Sequence, residues 1–350
     1  MYRSFRKDLK TILRIFLITT GVIISSSCYI LGQAGPFLQH HLCAEPIDRL
    51  IENSAIPWED RIFLSQVIDI REFAITDLGL ADTANYTTYF RIDRDYLAAV
   101  IQAAPEFNTE PYMFSYPFFG EMPYQGYYNI EQALSRADQL REQGLDVYIR
   151  RVDAFSSLGF FTDPLFSFMA DYSPDRLAEL IIHEQTHATI FISGHSGFNE
   201  QLATFIGRKG AQEYIISRYG EDSPEYRQMT ARKHDSQQFR EDISLLTREL
   251  EELYAYNYPE QVLRGAKAAA IREFQTQFLQ TYDSNYHSAQ YRGLGTMEIN
   301  NGFLSLFRVY EAASPFFEAL YQESGSIQAM IQYLQSRPEL HHDPWSIPVS

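Results

Sequence analysis

The chain has 350 residues, 21 % of them charged, and its 45 Asp and Glu outweigh 29 Lys and Arg to leave a formal net charge of −16 at pH 7. That balance excludes a nucleic-acid binder, because neutralising phosphates takes clustered cations. Two cysteines exclude a disulfide scaffold or a Cys-rich metal site, and 24 Tyr with 25 Phe exclude a disordered chain.

The first residues read as a targeting segment. Arg3, Arg6, Lys7, Lys10 and Arg14 precede an apolar stretch over residues 15–24, and Ser25-Ser26-Ser27-Cys28 follows. A basic start, a short apolar middle and small residues make a secretory signal over 1–27. Cys28 is the lipidation candidate, although Ser25 stands where a lipobox carries Leu. The apolar stretch alone is too short to span ~30 Å of hydrocarbon. Extended to Leu31 it becomes borderline, so an uncleaved anchor helix is the alternative reading, and an ordinary cleaved signal is a third. The basic flank stays inside, so each of these readings places residues 28–350 extracytoplasmic (periplasm or outer face), and the first two leave them membrane-anchored in a bacterial cell envelope.

Residues 28–350 read as a single α+β domain, predominantly α, without a Pro/Gly/Ser-rich linker. Helices and a small sheet occupy 28–160, metal-binding helices 161–210 and a helical part 211–350. Apolar residues from Ile47 to Ile75 fall near helical spacing and predict helix over 46–80. Tyr86–Ile92 has strand composition, and 105–128 reads as loops with short strands. Asn129 caps a helix that Gly144 closes, and a strand follows over 146–152. Ser173-Pro174 and Ser223-Pro224 each open a helix, with Pro at the first helical position. The second runs to about Tyr256 and pairs with a helix over 259–282 as a surface hairpin, since both are thin in apolar residues. Short helices over 302–310, 315–322 and 327–335 finish the chain.

The chemistry concentrates in the helix after Pro174, which contains His183-Glu184-Gln185-Thr186-His187. Two histidines four apart share one helix face, about 6 Å apart along the axis, so both imidazoles can reach one metal ion. Glu184 sits ~100° around the helix, where its carboxylate can take a proton from a water activated at that ion. This is the H-E-x-x-H pattern of zinc peptidases. One Zn²⁺ suits mixed N/O ligands and carries no redox chemistry. The third ligand must come from elsewhere. Ser193-Gly194-His195-Ser196-Gly197 turns the chain, and a second helix from about Phe198 would project Glu200 from its first turn, with small Ala203 and Thr204 permitting close approach.

His183-Glu184-x-x-His187 followed by Asn199-Glu200-x-x-Ala203 resembles the gluzincin pattern. The chain more narrowly resembles a bacterial "putative aminopeptidase" family, whose members are often lipoproteins. The matching stretches are Pro123–Tyr127, Leu140–Val152, Ala154–Leu165, Leu177–Leu180, the metal motif and Gly197–Gly207, with a weaker echo at Asn300-Asn301-Gly302, where the family pattern has Ala third. The resemblance spans most of 28–335. It implies a zincin-like fold, a zinc site of His183, His187 and Glu200, Glu184 as general base and a peptide substrate. It also implies an edge strand above the active-site helix, for which Ala154–Gly159, with Ser157, Leu158 and Gly159, is the candidate. The chain departs from the pattern twice: His195 replaces an Asp, and Gln185-Thr186 replaces a more apolar pair. His195 is thus open as a ligand, a substrate-side group or a solvated loop residue. Glu179, one turn before His183, is a candidate to orient that imidazole. Tyr310 and Tyr127 are candidates to stabilise an oxyanion, and Glu121 and Glu179 to hold a substrate ammonium.

The reading is a membrane-anchored, extracytoplasmic zinc metallopeptidase, an aminopeptidase by resemblance, with peptide as substrate and neither nucleic acid nor nucleotide as partner. The alternatives are a non-catalytic anchored protein that binds peptides or cell-wall fragments, and a zinc amidohydrolase acting on a non-peptide or cell-wall amide. No G-x-S-x-G or phosphate-binding Gly loop occurs. Of the remaining histidines, His40, His41, His234, His341 and His342 are expected at the surface.

Overall fold

Pro57 divides the first predicted helix in two. In the computed structural model, which describes residue 33 and residues 35–116, 120–153, 162–309 and 315–346, a two-residue strand β1 (Glu45–Pro46) leads into α1 (Ile47–Glu52), and α2 (Trp58–Thr76) starts immediately after Pro57. Proline disfavours a helical residue before it, so the periodic apolar run folds as two helices.

Among the described residues seven further strands follow: β2 (Thr88–Phe90), β3 (Ala98–Pro105), β4 (Phe114–Tyr116), β5 (Gly120–Met122), β6 (Gln125–Tyr127), β7 (Leu145–Val152) and β8 (Leu165–Phe166), with α3 (Ile130–Glu142) between β6 and β7. They form three small sheets: β1-β2-β8, the antiparallel trio β6-β3-β7, and the hairpin β4-β5. β3 is the strand that the composition hides. Four of its eight residues are Ala, a helix former, yet it is the central strand of its sheet and is buried from Ala98 to Ala104. Ala99, Ile101 and Ala103 pack on Ala133, Ala137 and Leu140 of α3, and the alternate residues face the other way. Asn129 caps α3 as expected, accepting from the N–H groups of Glu131 and Gln132.

The helical half comprises α4 (Pro174–Thr189), α5 (Ser196–Tyr219), α6 (Pro224–Tyr254), α7 (Glu260–Asn285), α8 (Asn301–Val309), α9 (Pro315–Ser324) and α10 (Ile327–Gln335). The fold is α+β and predominantly helical. The paired helices α6 and α7 are more than a surface hairpin: Phe239, Ile243, Leu246 and Leu250 of α6 meet Phe278, Tyr282 and Tyr286 and close over Phe303 and Leu304 of α8 as a second hydrophobic cluster. The Asn300-Asn301-Gly302 echo is structural. Asn300 accepts from the Phe303 N–H, Asn301 donates to the carbonyls of Pro105 and Glu106, and a Cβ at Gly302 would lie 2.7 Å from the Asp146 carbonyl oxygen. The motif docks the start of α8 onto the ends of β3 and β7.

Among the described residues no helix is long and apolar enough to cross a membrane. The targeting segment and Cys28 lie outside the described residues, as do Ser157, Leu158, Gly159 and Tyr310. Cys43 is an exposed free thiol. Contrary to expectation, His40 is buried (5 % exposed), packed edge-on against Tyr128 and Phe166. Burial, with Arg94 and His41 nearby, pushes its pKa down to about 4, so it is neutral in the fold.

Candidate metal centre and adjoining cleft

α4 is two-faced. Leu177, Ala178, Ile181 and Ile182 enter the main core, while His183 and His187 lie together on another face. Ser173 and Pro174 start the helix as the sequence predicts, although the Ser173 hydroxyl makes no capping hydrogen bond. After Thr189 the chain turns through Gly194, at φ +84°, a left-handed conformation that glycine takes without strain. Asn199 clamps this turn. Its side chain donates to the Ile192 carbonyl (2.8 Å) and accepts from the Ile192 N–H (2.9 Å). The residue is 2 % exposed, so its amide is committed to the backbone and is not available to a substrate.

α5 then runs back antiparallel along α4. Gly207 makes this possible: a Cβ there would lie 3.0 Å from the Glu179 carbonyl oxygen and 3.2 Å from His183 Cβ. We expect Gly207→Val to push the two helices apart and to destabilise the protein by about 1–3 kcal/mol. Metal retention should fall as well, because donors on both helices would separate. Thermal unfolding and elemental analysis of the same preparation check both effects.

The close approach brings Glu200, in the first turn of α5, to the histidine pair. His183 Nε2 and His187 Nε2 are 3.1 Å apart, and the Glu200 carboxylate oxygens lie 3.7 Å and 3.4 Å from them. These three are the one His/Cys/Asp/Glu group among the described residues with metal-site geometry, all donor atoms within 4.8 Å of one another. Zinc–nitrogen bonds of ~2.0–2.1 Å in a tetrahedron place donors roughly 3.3 Å apart, so the donor set and its spacing fit Zn²⁺. The local electrostatics favour the ligating form of two of the three donors, His183 and Glu200. Burial and the neighbouring His187 push the His183 pKa down to about 4, leaving a neutral imidazole. Burial opposes ionisation of Glu200, but the two imidazoles overcome it and hold the carboxyl below its usual range. Burial likewise opposes the charge on His187, which the carboxylates of Glu200 and Glu184 outweigh, raising its pKa.

Glu184 is 8 % exposed, and no hydrogen-bond or ionic partner for its carboxylate is found among the described residues. Burial pushes its pKa up to about 7; His187 opposes this, while Asp163 and Glu200 add to it. Glu184 lines a cleft together with Tyr86, Asp153, Asp163, Phe166 and Met169. No motif singles out Tyr86 or Asp163. Asp163 stands in the family-like stretch Ala154–Leu165, and Tyr86 only opens a stretch of strand composition. Tyr86 is 2 % exposed and sits at φ +55°. A bulky residue pays on the order of 1–3 kcal/mol for that conformation.

The other candidates are placed elsewhere. Glu179 pairs with Arg208 of α5 at 3.2 Å instead of orienting His183. His195 precedes α5, its carbonyl accepting from the Asn199 N–H, and it is not in the metal group. Tyr127 belongs to the cluster between β3 and α3, and Glu121 is exposed on β5; neither lines the cleft. Gln185 is fully buried, and neither side-chain polar atom has a hydrogen-bond partner among the described residues. An apolar residue of that size would leave nothing unsatisfied.

A family model described as "Putative aminopeptidase" matches residues 29–344. No curated protein and no solved structure matches the chain.

Proposed function

The chain belongs to the family described as "Putative aminopeptidase", and from that premise we propose that it is a zinc-dependent aminopeptidase, held in the cell envelope by its N-terminal segment. The observation that supports zinc dependence is the convergence of His183, His187 and Glu200 from two antiparallel helices. These residues would hold the ion, two neutral imidazoles and one carboxylate leaving a net positive charge on the site. Zinc bound there supplies Lewis-acid chemistry, lowering the pKa of water and polarising a carbonyl.

The remaining work falls to the protein's own groups. Glu184 is next to His183 and faces the cleft, so it can accept a proton from the attacking water and return it to the leaving amine. Its elevated pKa, near 7, suits a group that must both take and give a proton at neutral pH. Buried Tyr86 and Phe166 beside it limit access of bulk water.

The test is direct. The purified chain should contain one zinc per molecule and release the first residue from short peptides. A chelator should abolish that release and added zinc restore it. A zinc-loaded chain that cleaves no peptide, or one whose hydrolysis survives complete metal removal, would overturn the reading.

A further inference from the structure

An aminopeptidase has to recognise a charged chain end as well as a peptide bond. The substrate ammonium is two bonds from the scissile carbonyl carbon, so the group that holds it must share a cleft with the general base. Two described carboxylates besides Glu184 line that cleft, Asp153 and Asp163. Asp153 is already neutralised by Arg176, whose guanidinium also stacks 3.9 Å over Tyr172. Asp163 has no ionic or hydrogen-bonding partner for its carboxylate among the described residues.

Its main chain, by contrast, is tightly held. The Asp163 N–H donates to the Asn85 side chain at 3.1 Å, and its carbonyl accepts from the Tyr86 N–H at 2.8 Å. Pro164 follows and favours an extended conformation at Asp163. The strained backbone of Tyr86 is thus tied to the residue whose side chain enters the cleft. Strain of this sort persists where the surroundings over-determine a position, commonly at ligand sites.

An unpaired, half-buried carboxylate is costly, and a second one, Glu184, is nine-tenths buried and equally unpartnered in the same cleft. A cation bound at Asp163 would offset that carboxylate's cost. His40, in the lining of the cleft, does not supply it, because burial holds it neutral. On the aminopeptidase reading above, we infer that Asp163 is the anchor for the free ammonium group of the substrate's first residue. The partner is thereby a peptide with an unblocked N-terminus.

The experiment compares zinc-loaded wild-type chain with Asp163→Asn, using leucine amide and N-acetylleucine amide as probes, with binding measured by calorimetry and turnover measured separately. Wild type should bind leucine amide far more tightly than the acetylated form. D163N should lose roughly 30-fold or more in affinity for leucine amide, the lower end of what loss of a buried charge partner costs. Its affinity for the acetylated form should be unchanged, and the loss in turnover should lie in KM more than in kcat. Equal affinities of wild type for the two amides, or an undiminished preference in D163N, would overturn the assignment. The first comparison uses the unmodified chain, so it stands even if the variant fails to fold. Tight binding of leucine amide without any hydrolysis would leave the anchor intact and instead sink the peptidase reading.

Discussion

Glu184→Gln should retain stoichiometric zinc while its peptide turnover falls by about 10²–10⁴-fold, the usual contribution of a positioned acid–base group. The amide keeps the shape of the side chain and the packing of a residue only 8 % exposed, but it cannot take a proton. Replacement also removes one of two neighbouring unpartnered carboxylates, so the metal-free variant should be no less stable than wild type. Zinc content, kcat and a thermal melt on one sample check the three expectations. Undiminished turnover would remove Glu184 from the general-base role.

Glu200→Ala should have the complementary effect. Two imidazoles alone hold zinc weakly, and losing a direct donor should cost more than the 10- to 100-fold that loss of a supporting partner costs. The Glu200 side chain is 49 % exposed, so its truncation opens no cavity and leaves the metal-free fold intact. The variant should emerge from dialysis largely free of zinc, with the melting temperature of the wild-type apoprotein. Full occupancy would move the third donor elsewhere. Because E184Q separates turnover from binding and E200A separates binding from folding, the pair distinguishes a damaged catalyst from a damaged protein.

What could be read in the residues was local. Asn129 capping α3, the Ser-Pro helix starts and the four-residue spacing of His183 and His187 all act within one or two turns of chain, where geometry follows from helix pitch. Glu200 could be placed beside the pair because a short turn connects the two helices. What escaped depends on distant contacts. β3 is Ala-rich and becomes a strand because α3 and α8 cover its two faces. Glu179 has the spacing to support His183, but the antiparallel return of α5 brings Arg208 within 3.2 Å of it. Asp163 and Tyr86 meet Glu184 only through tertiary packing, and His40 is buried by aromatic rings from three other segments. None of these partners is within helical or strand range in sequence.

The clamp of Asn199 on Ile192 has a consequence for how such a protein could be re-engineered. The three donors proposed for the cation fall between residues 183 and 200, on a hairpin whose bend is stapled by its own side chain, whereas the wall proposed to meet the arriving chain end is contributed by residues 86 and 163. On that proposal the reactive half and the selective half come from separate stretches of chain that share Glu184 in the lining of the cleft. Choosing which termini are admitted becomes a matter of residue 163 and the loop carrying Tyr86, and it can be altered while the hairpin is left as it stands.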